Sequence, residues 1–132
     1  MKEISVCIVD DSKELRDALG EIISLAPGFT CTSSLGSAEE AIEIMPTLKV
    51  DLAMVDVSLP KMNGIQLVAY LHKNYPEIPC LVITGHLIPF YLERSFEAGA
   101  RGYVLKDDVT GILEGVQSVL AGETYISKAL RD

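Results

Sequence analysis

Polar side chains with complementary chemistry stand wherever a buried-looking apolar run stops. Asp10 and Asp11 follow Ile4 to Val9, Asp56 ends Leu52 to Asp56, Thr84 follows Cys80 to Ile83, and Lys106 follows Gly102 to Leu105. A single aspartate in such a place is ordinarily a turn or cap residue, and it is the coincidence of all four that argues for a site. Three carboxylates sharing one crevice repel by roughly 3 kcal/mol per pair at about 5 Å and an effective dielectric of about 20, so something positive must offset them. Oxygen ligands alone suit a hard cation, and Mg²⁺, or Mn²⁺ in its place, takes one or two carboxylates and keeps room for phosphate oxygens. Lys106 supplies a second, point-like positive charge and Thr84 a hydroxyl donor. The set matches the needs of phosphoryl transfer to a carboxylate, in which the carboxylate forms an acyl phosphate while metal and ammonium stabilise the equatorial oxygens. Asp56 stands alone on its strand and is the candidate nucleophile; the adjacent pair Asp10 and Asp11 is better suited to holding the cation.

The elements that must position these groups can be read from the same chain. Continuous apolar runs without alternation read as strands buried on both faces, the usual state in a parallel sheet covered by helices. The first strand leads to Ser12 as N-cap of a helix burying Leu15, Leu19, Ile22 and Ile23 and stopped by Pro27 and Gly28. A short second strand, Phe29 to Thr32, is followed by Ser37 and Glu40, a capping box for a helix burying Ala38, Ala41, Ile42 and Met45. After Asp56 the loop 57–64 carries Pro60 and Asn63-Gly64, turn formers, and a third helix buries Ile65, Val68 and Leu71. A fourth helix spans Pro89 to Ala98, and a fifth, capped by Asp108 and stopped by Gly122, buries Ile112, Val116, Val119 and Leu120. Five strands alternating with five helices predict an α/β fold, a doubly wound five-stranded parallel sheet, since right-handed crossovers leave few other topologies. The tail from Glu123 to Asp132 has no usable periodicity.

Composition narrows the function classes. A chain of 132 residues is one domain, and 19 acidic against 11 basic residues give a net charge of -8 that disfavours direct contact with nucleic acid or anionic membrane. The apolar stretches are strand-length and no leader pattern opens the chain, which points away from the membrane and toward the cytoplasm. Cys7, Cys31 and Cys80 lack metal-ligand spacing and read as small core hydrophobes.

The motifs Val9-Asp10-Asp11-Ser12, Asp56 with Leu59-Pro60-Lys61-Met62-Asn63-Gly64, Thr84-Gly85, and the run from Ala98 through Gly102-Tyr103-Val104-Leu105-Lys106-Asp107 resemble the receiver domain of bacterial two-component response regulators over Met1 to Gly122. The Gly-Tyr-Val-Leu-Lys-Asp segment and the closing Gly122-Glu123-Thr124-Tyr125-Ile126-Ser127 are similar to the NarL/FixJ-type subfamily. The resemblance implies a flavodoxin-like, CheY-like sheet of order 2-1-3-4-5. It implies that Asp56 takes a phosphoryl group from a sensor histidine kinase, with slow loss of the group and labelling from small donors, rather than turnover as an enzyme. It further implies Mg²⁺ on Asp11, Asp56 and the Ser58 carbonyl, with Asp10 acting through water. Lys106 would contact the phosphoryl group, and Thr84 and Tyr103 would form a switch. Homodimerisation on phosphorylation and control of transcription through a C-terminal DNA-binding output domain follow from the same likeness. Residues 123–132 would begin a linker toward that domain, so the chain is expected to be an excised receiver; the alternative is a stand-alone receiver acting by protein–protein contact. The chain departs from most receivers at Asp107, where they carry a proline in a cis peptide.

Several residues have plainer readings beside the functional ones. Ser58 and His86 border the implied path of water toward the acyl phosphate and could tune its lifetime, while His86 could equally be an inert loop histidine and His72 a surface residue. Leu87 to Leu92 is apolar for the start of an exposed helix and suggests a partner surface, although Leu92 and Phe96 are spaced to be buried. Tyr103 could be only a core aromatic. Among competing functions, an aspartyl phosphatase would have a second acid two residues after the nucleophile, where this chain has Ser58. A nucleotide- or flavin-binding protein would have a glycine-rich cradle in place of the acidic first loop.

Overall fold

The computed structural model describes residues 3–85 and 88–131. Strands β1 (Ile4–Val9), β2 (Phe29–Leu35), β3 (Leu52–Asp56), β4 (Cys80–Thr84), β5 (Gly102–Leu105) and β6 (Tyr125–Ile126) alternate with helices α1 (Lys13–Ser24), α2 (Ala38–Ile44), α3 (Gly64–Asn74), α4 (Pro89–Ala98) and α5 (Val109–Leu120). All strand pairs are parallel and the order is β2-β1-β3-β4-β5-β6. The doubly wound architecture is as the sequence implies, with one addition: the sheet has a sixth, two-residue strand where the sequence shows a featureless tail. Two residues are too few for periodicity to register; only the edge of β5 tells Tyr125 and Ile126 what to be.

Alternate residues of the central strands feed two cores, as the two-residue period of a strand demands. Cys7, Val9, Ala53, Val55, Val82 and Tyr103 face the layer of α2, α3 and α4, meeting Ala38, Ala41, Leu67, Val68 and Leu71. Val6, Ile8, Leu52, Met54, Leu81, Ile83 and Val104 face α1 and α5, meeting Leu19, Ile23, Ile112, Val116 and Val119. Burial on both faces explains why β1, β3 and β4 read as unbroken apolar runs.

Four local expectations need correction. The second strand runs to Leu35 rather than Thr32. A bulge passes over Thr32 as the register moves from Val6 opposite Cys31 to Cys7 opposite Ser33, so the pattern beyond it is out of phase and polar. Asn63 is not merely a turn former. It is the N-cap of α3, its side chain accepting from Gln66 N–H while the Gln66 side chain accepts from Asn63 N–H, both at 2.9 Å. Conversely Ser37 accepts from Glu40 N–H at 3.1 Å as expected, but the Glu40 carboxylate reaches Gly36 N–H rather than the N-cap amide. Leu15, Ile22, Ile42, Ile65 and Leu120 are only partly buried, and Leu67 takes a core place in α3.

Candidate phosphoacceptor and cation site

The register brings the strand ends level. Val9 lies between Leu35 and Val55, Asp56 opposite Ile83, and Thr84 opposite Leu105. The residues that follow Val9 and Val55 on these neighbouring strands are therefore Asp10 and Asp56, side by side at the carboxyl edge. After β1 the chain goes outward to β2 and then returns across to β3, so the crevice lies where the winding direction reverses, the usual place for a site in such sheets.

Asp10, Asp11 and Asp56 each place a carboxylate oxygen within 4.8 Å of the others, with Asp10 and Asp56 buried and Asp11 exposed. The Lys106 ammonium bridges the two buried acids, 3.1 Å from Asp10 Oδ2 and 3.2 Å from Asp56 Oδ2. The remaining oxygens accept from their own loops: Asp10 Oδ1 from Ser12 N–H at 2.9 Å and Asp56 Oδ1 from Ser58 N–H at 3.1 Å. Lys106 N–H donates to the Thr84 carbonyl at 2.9 Å, so the lysine is anchored to the strand end that presents Thr84.

Burial, and then the neighbouring Asp10 charge, push the Asp56 carboxyl above its ordinary value, while the Ser58 amide and Lys106 pull it back. Burial alone would lower the Lys106 ammonium; its bond to Asp10 and the charge of Asp56 outweigh that and hold it above its ordinary value. Lys106 is therefore charged at neutral pH. One ammonium against three carboxylates leaves the crevice two charges short of neutrality, the deficit a divalent cation fills. Asp10 Oδ2 points the same way: it is buried with the Lys106 ammonium, shared with Asp56, at 3.1 Å and no further hydrogen-bond partner among the described residues. An all-oxygen donor set with one exposed carboxylate fits Mg²⁺ or Mn²⁺.

Thr84 is fully buried at the end of β4. Tyr103 is fully buried on β5, paired with Val82, and burial raises its phenol while the nearby Thr84 side chain lowers it. Ser58 is exposed beside Asp56, and His86 lies outside the described residues. The Lys106–Asp107 peptide is trans. His72 is exposed, as a surface residue should be. At the start of α4, Phe90 is 55% exposed with the Arg94 guanidinium 5.0 Å over its ring, whereas Leu92 and Phe96 pack partly into the core.

Three residues support the site in ways the sequence analysis does not assign. Gly64 opens α3 so close to β3 that a Cβ there would collide with the Asp56 carbonyl oxygen and lie 2.9 Å from Val57 Cα. Arg16 donates to the Asp10 carbonyl at 2.7 Å. Ser127, fully buried, accepts from Leu105 N–H at 3.0 Å and donates to Asp108 Oδ2 at 2.8 Å, and Asp108 Oδ1 caps α5 through Gly111 N–H at 2.9 Å. The Asn63-Gly64 pair carried a signal for the first; nothing local marked the others.

The sequence profile of the "Response regulator receiver domain" matches residues 6–126. The chain is 30% identical over 125 residues to the transcriptional regulatory protein DegU of Brevibacillus brevis, covering 94% of this chain and 53% of that one. It is 32% identical to the DNA-binding transcriptional activator DevR/DosR of Mycobacterium tuberculosis, covering 93% and 57%. Among solved structures, a two-component response regulator of the LuxR family from an Aurantimonas species superposes with a TM-score of 0.92 at 25% identity, over 98% of this chain and 93% of that one. The chain thus spans just over half the length of the curated relatives it matches.

Proposed function

The chain belongs to the response regulator receiver domain family, and from that premise we propose that Asp56 is its phosphoacceptor, taking a phosphoryl group from a phosphohistidine on a sensor histidine kinase. The observation that carries the reading is the buried Asp10–Lys106–Asp56 bridge with Asp11 at its open side. An ionised Asp56 oxygen attacks phosphorus, the bond from phosphorus to the donor's nitrogen or acyl oxygen breaks, and the electron pair leaves with the donor. Lys106, already paired with Asp56, is placed to follow the phosphoryl oxygens as negative charge moves from carboxylate to phosphate. Asp11, Asp56 and the Ser58 carbonyl would hold Mg²⁺ or Mn²⁺, with Asp10 acting through water. When bound, the cation neutralises charge on the transferring group. The Thr84 hydroxyl, at the end of β4, would donate to a new phosphoryl oxygen, with Tyr103 responding as its neighbour, a local bond biasing two arrangements of the α4–β5 face.

In this reading residues 123–132 lead toward a DNA-binding output domain, and the protein is a transcription regulator of the cytoplasm that dimerises when phosphorylated; its likeness to a transcriptional regulatory protein, DegU, and to a DNA-binding transcriptional activator, DevR/DosR, supports the transcriptional part of that reading. Among the described residues no helix is long and apolar enough to cross a membrane. Ser58 and His86 are the residues assigned to tuning the lifetime of the acyl phosphate.

The test is incubation with acetyl phosphate and Mg²⁺ followed by intact-mass analysis. One phosphate adduct that disappears in Asp56→Ala and on chelation of Mg²⁺ is expected. An undiminished adduct in Asp56→Ala, or multiple turnover of phosphate esters, overturns the reading.

A further inference from the structure

Asp10 and Asp11 share one peptide, so the direction from which the exposed Asp11 carboxylate enters the crevice depends on how that peptide is held. Its carbonyl, that of Asp10, accepts from Arg16 Nη1 at 2.7 Å. On the other side of the same residue, Asp10 N–H donates to the Leu35 carbonyl at 3.0 Å. Arg16 Nε reaches in turn to Ser34 Oγ at 3.1 Å, beside Leu35. A Cβ at Gly36 would stand 3.3 Å from Nη1 and 3.9 Å from Cζ, so the guanidinium rests against the turn that leaves β2. One planar fork thus ties the first turns of α1, the acidic loop and the end of β2 into a single brace, using two of its five N–H groups in fixed relative directions.

We propose that Arg16 is a positioning residue of the cation site, fixing the Asp10–Asp11 peptide so that Asp11 meets the cation with its carboxylate. The inference rests on the reading of the crevice as a cation-assisted phosphoacceptor site and names a residue on which that site's affinity depends. Arg16 touches neither the cation nor the phosphoryl group. Its effect therefore falls on Mg²⁺ affinity and not on the rate once the site is filled. Groups that orient metal ligands in this way typically change affinity by about 10-fold or more when removed. A guanidinium near carboxylates also repels a cation, and removing it on that ground alone would tighten Mg²⁺ binding. The two effects have opposite signs.

The experiment measures two quantities in the full chain: the Mg²⁺ concentration giving half the maximal labelling rate with acetyl phosphate, and the rise in melting temperature produced by Mg²⁺ without any phosphate donor. Arg16→Gln is expected to raise the half-saturating Mg²⁺ about 10-fold and shrink the thermal shift at fixed Mg²⁺, leaving the saturated rate close to that of the parent. Arg16→Lys keeps the charge but not the fork and is expected to behave like Arg16→Gln; full rescue by lysine contradicts the proposal. Gly36 has no positive φ, so Gly36→Ala is compatible with its backbone; it displaces the guanidinium without removing it and is expected to shift the half-saturating Mg²⁺ in the same direction. That variant, with Ser34→Ala, decides the matter should the Arg16 variants fail to fold. Unchanged or tighter Mg²⁺ binding in the folded variants overturns the inference while leaving phosphorylation of Asp56 intact. A parent chain that binds Mg²⁺ but takes no phosphate overturns the proposed function alone, and one that ignores Mg²⁺ overturns both.

Discussion

Two regions meet at β5 and are built on opposite terms. The crevice at the carboxyl edge is all charge: two buried carboxylates and an exposed one face a single ammonium, and the surrounding backbone is fixed by amides that donate to those acids. Around the corner, the face next to Tyr103 carries an open pocket of mixed polar and apolar lining. A cavity of about 380 Å³ is lined by Ile88, Pro89, Leu92 and Glu93 of the α4 region, by Tyr103, and by Ala129 and Leu130 of the tail. Consecutive residues connect them, since Leu105 N–H is tied to Ser127 of the tail and Lys106 Nζ to the acids. A densely bonded site beside a pocketed face separates the place where chemistry occurs from the place where side chains have room to move. A crevice whose buried acids are tied to Lys106 and to their own loop amides has little freedom, whereas the side chains around an open pocket have contacts to gain.

The largest expected effect is at the charge bridge. Lys106→Met leaves Asp10 and Asp56 buried without their cation, so stability without Mg²⁺ should fall by about 3 kcal/mol in urea denaturation. Labelling from acetyl phosphate should fall about 100-fold, the loss of one strong charge-assisted interaction. Mg²⁺ should restore part of the stability and little of the rate. Gly64→Ala comes next: the new Cβ collides with backbone at Asp56 and Val57, forcing the loop after the nucleophile to move, and labelling should drop about 10-fold because the reacting groups are misplaced. Ser127→Ala removes the acceptor for Leu105 N–H and the donor to Asp108. It should lower the unfolding free energy from urea denaturation by about 1–3 kcal/mol and speed proteolysis of residues 123–131, while leaving labelling unchanged. The smallest effect is expected of Leu130→Ala, about 1 kcal/mol or less, because the side chain is only partly buried at the edge of the cavity. If Ser127→Ala slowed labelling as much as Gly64→Ala does, the division between a chemical and a conformational region would collapse.

The same division governs what could be read from the sequence. The apolar runs of β1, β3 and β4 carry their own identity, and the acids that end them announce the crevice, because a charge next to a doubly buried strand has few places to go. The companions of the site are different. Arg16 acts through a backbone carbonyl six residues away in the chain and Ser127 through an amide twenty-two residues away, and neither interaction leaves a local pattern. The sixth strand and the extension of β2 past its bulge depend on a neighbouring edge rather than on their own residues: β6 is too short to show a period, and the residues after the bulge are polar. Phe90, exposed at 55% near the start of α4, keeps the apolar surface expected there, while Leu92 and Phe96 turn partly inward as their spacing implies.

Borohydride reduces an acyl phosphate to an alcohol, turning a phosphorylated aspartate into homoserine, and so marks the acceptor directly. The chain is treated with acetyl phosphate and Mg²⁺, reduced, digested and mapped by peptide mass. Homoserine at position 56 and nowhere else is the predicted result; homoserine at position 10 or 11, phosphate on Ser58, or no conversion at all would contradict the account.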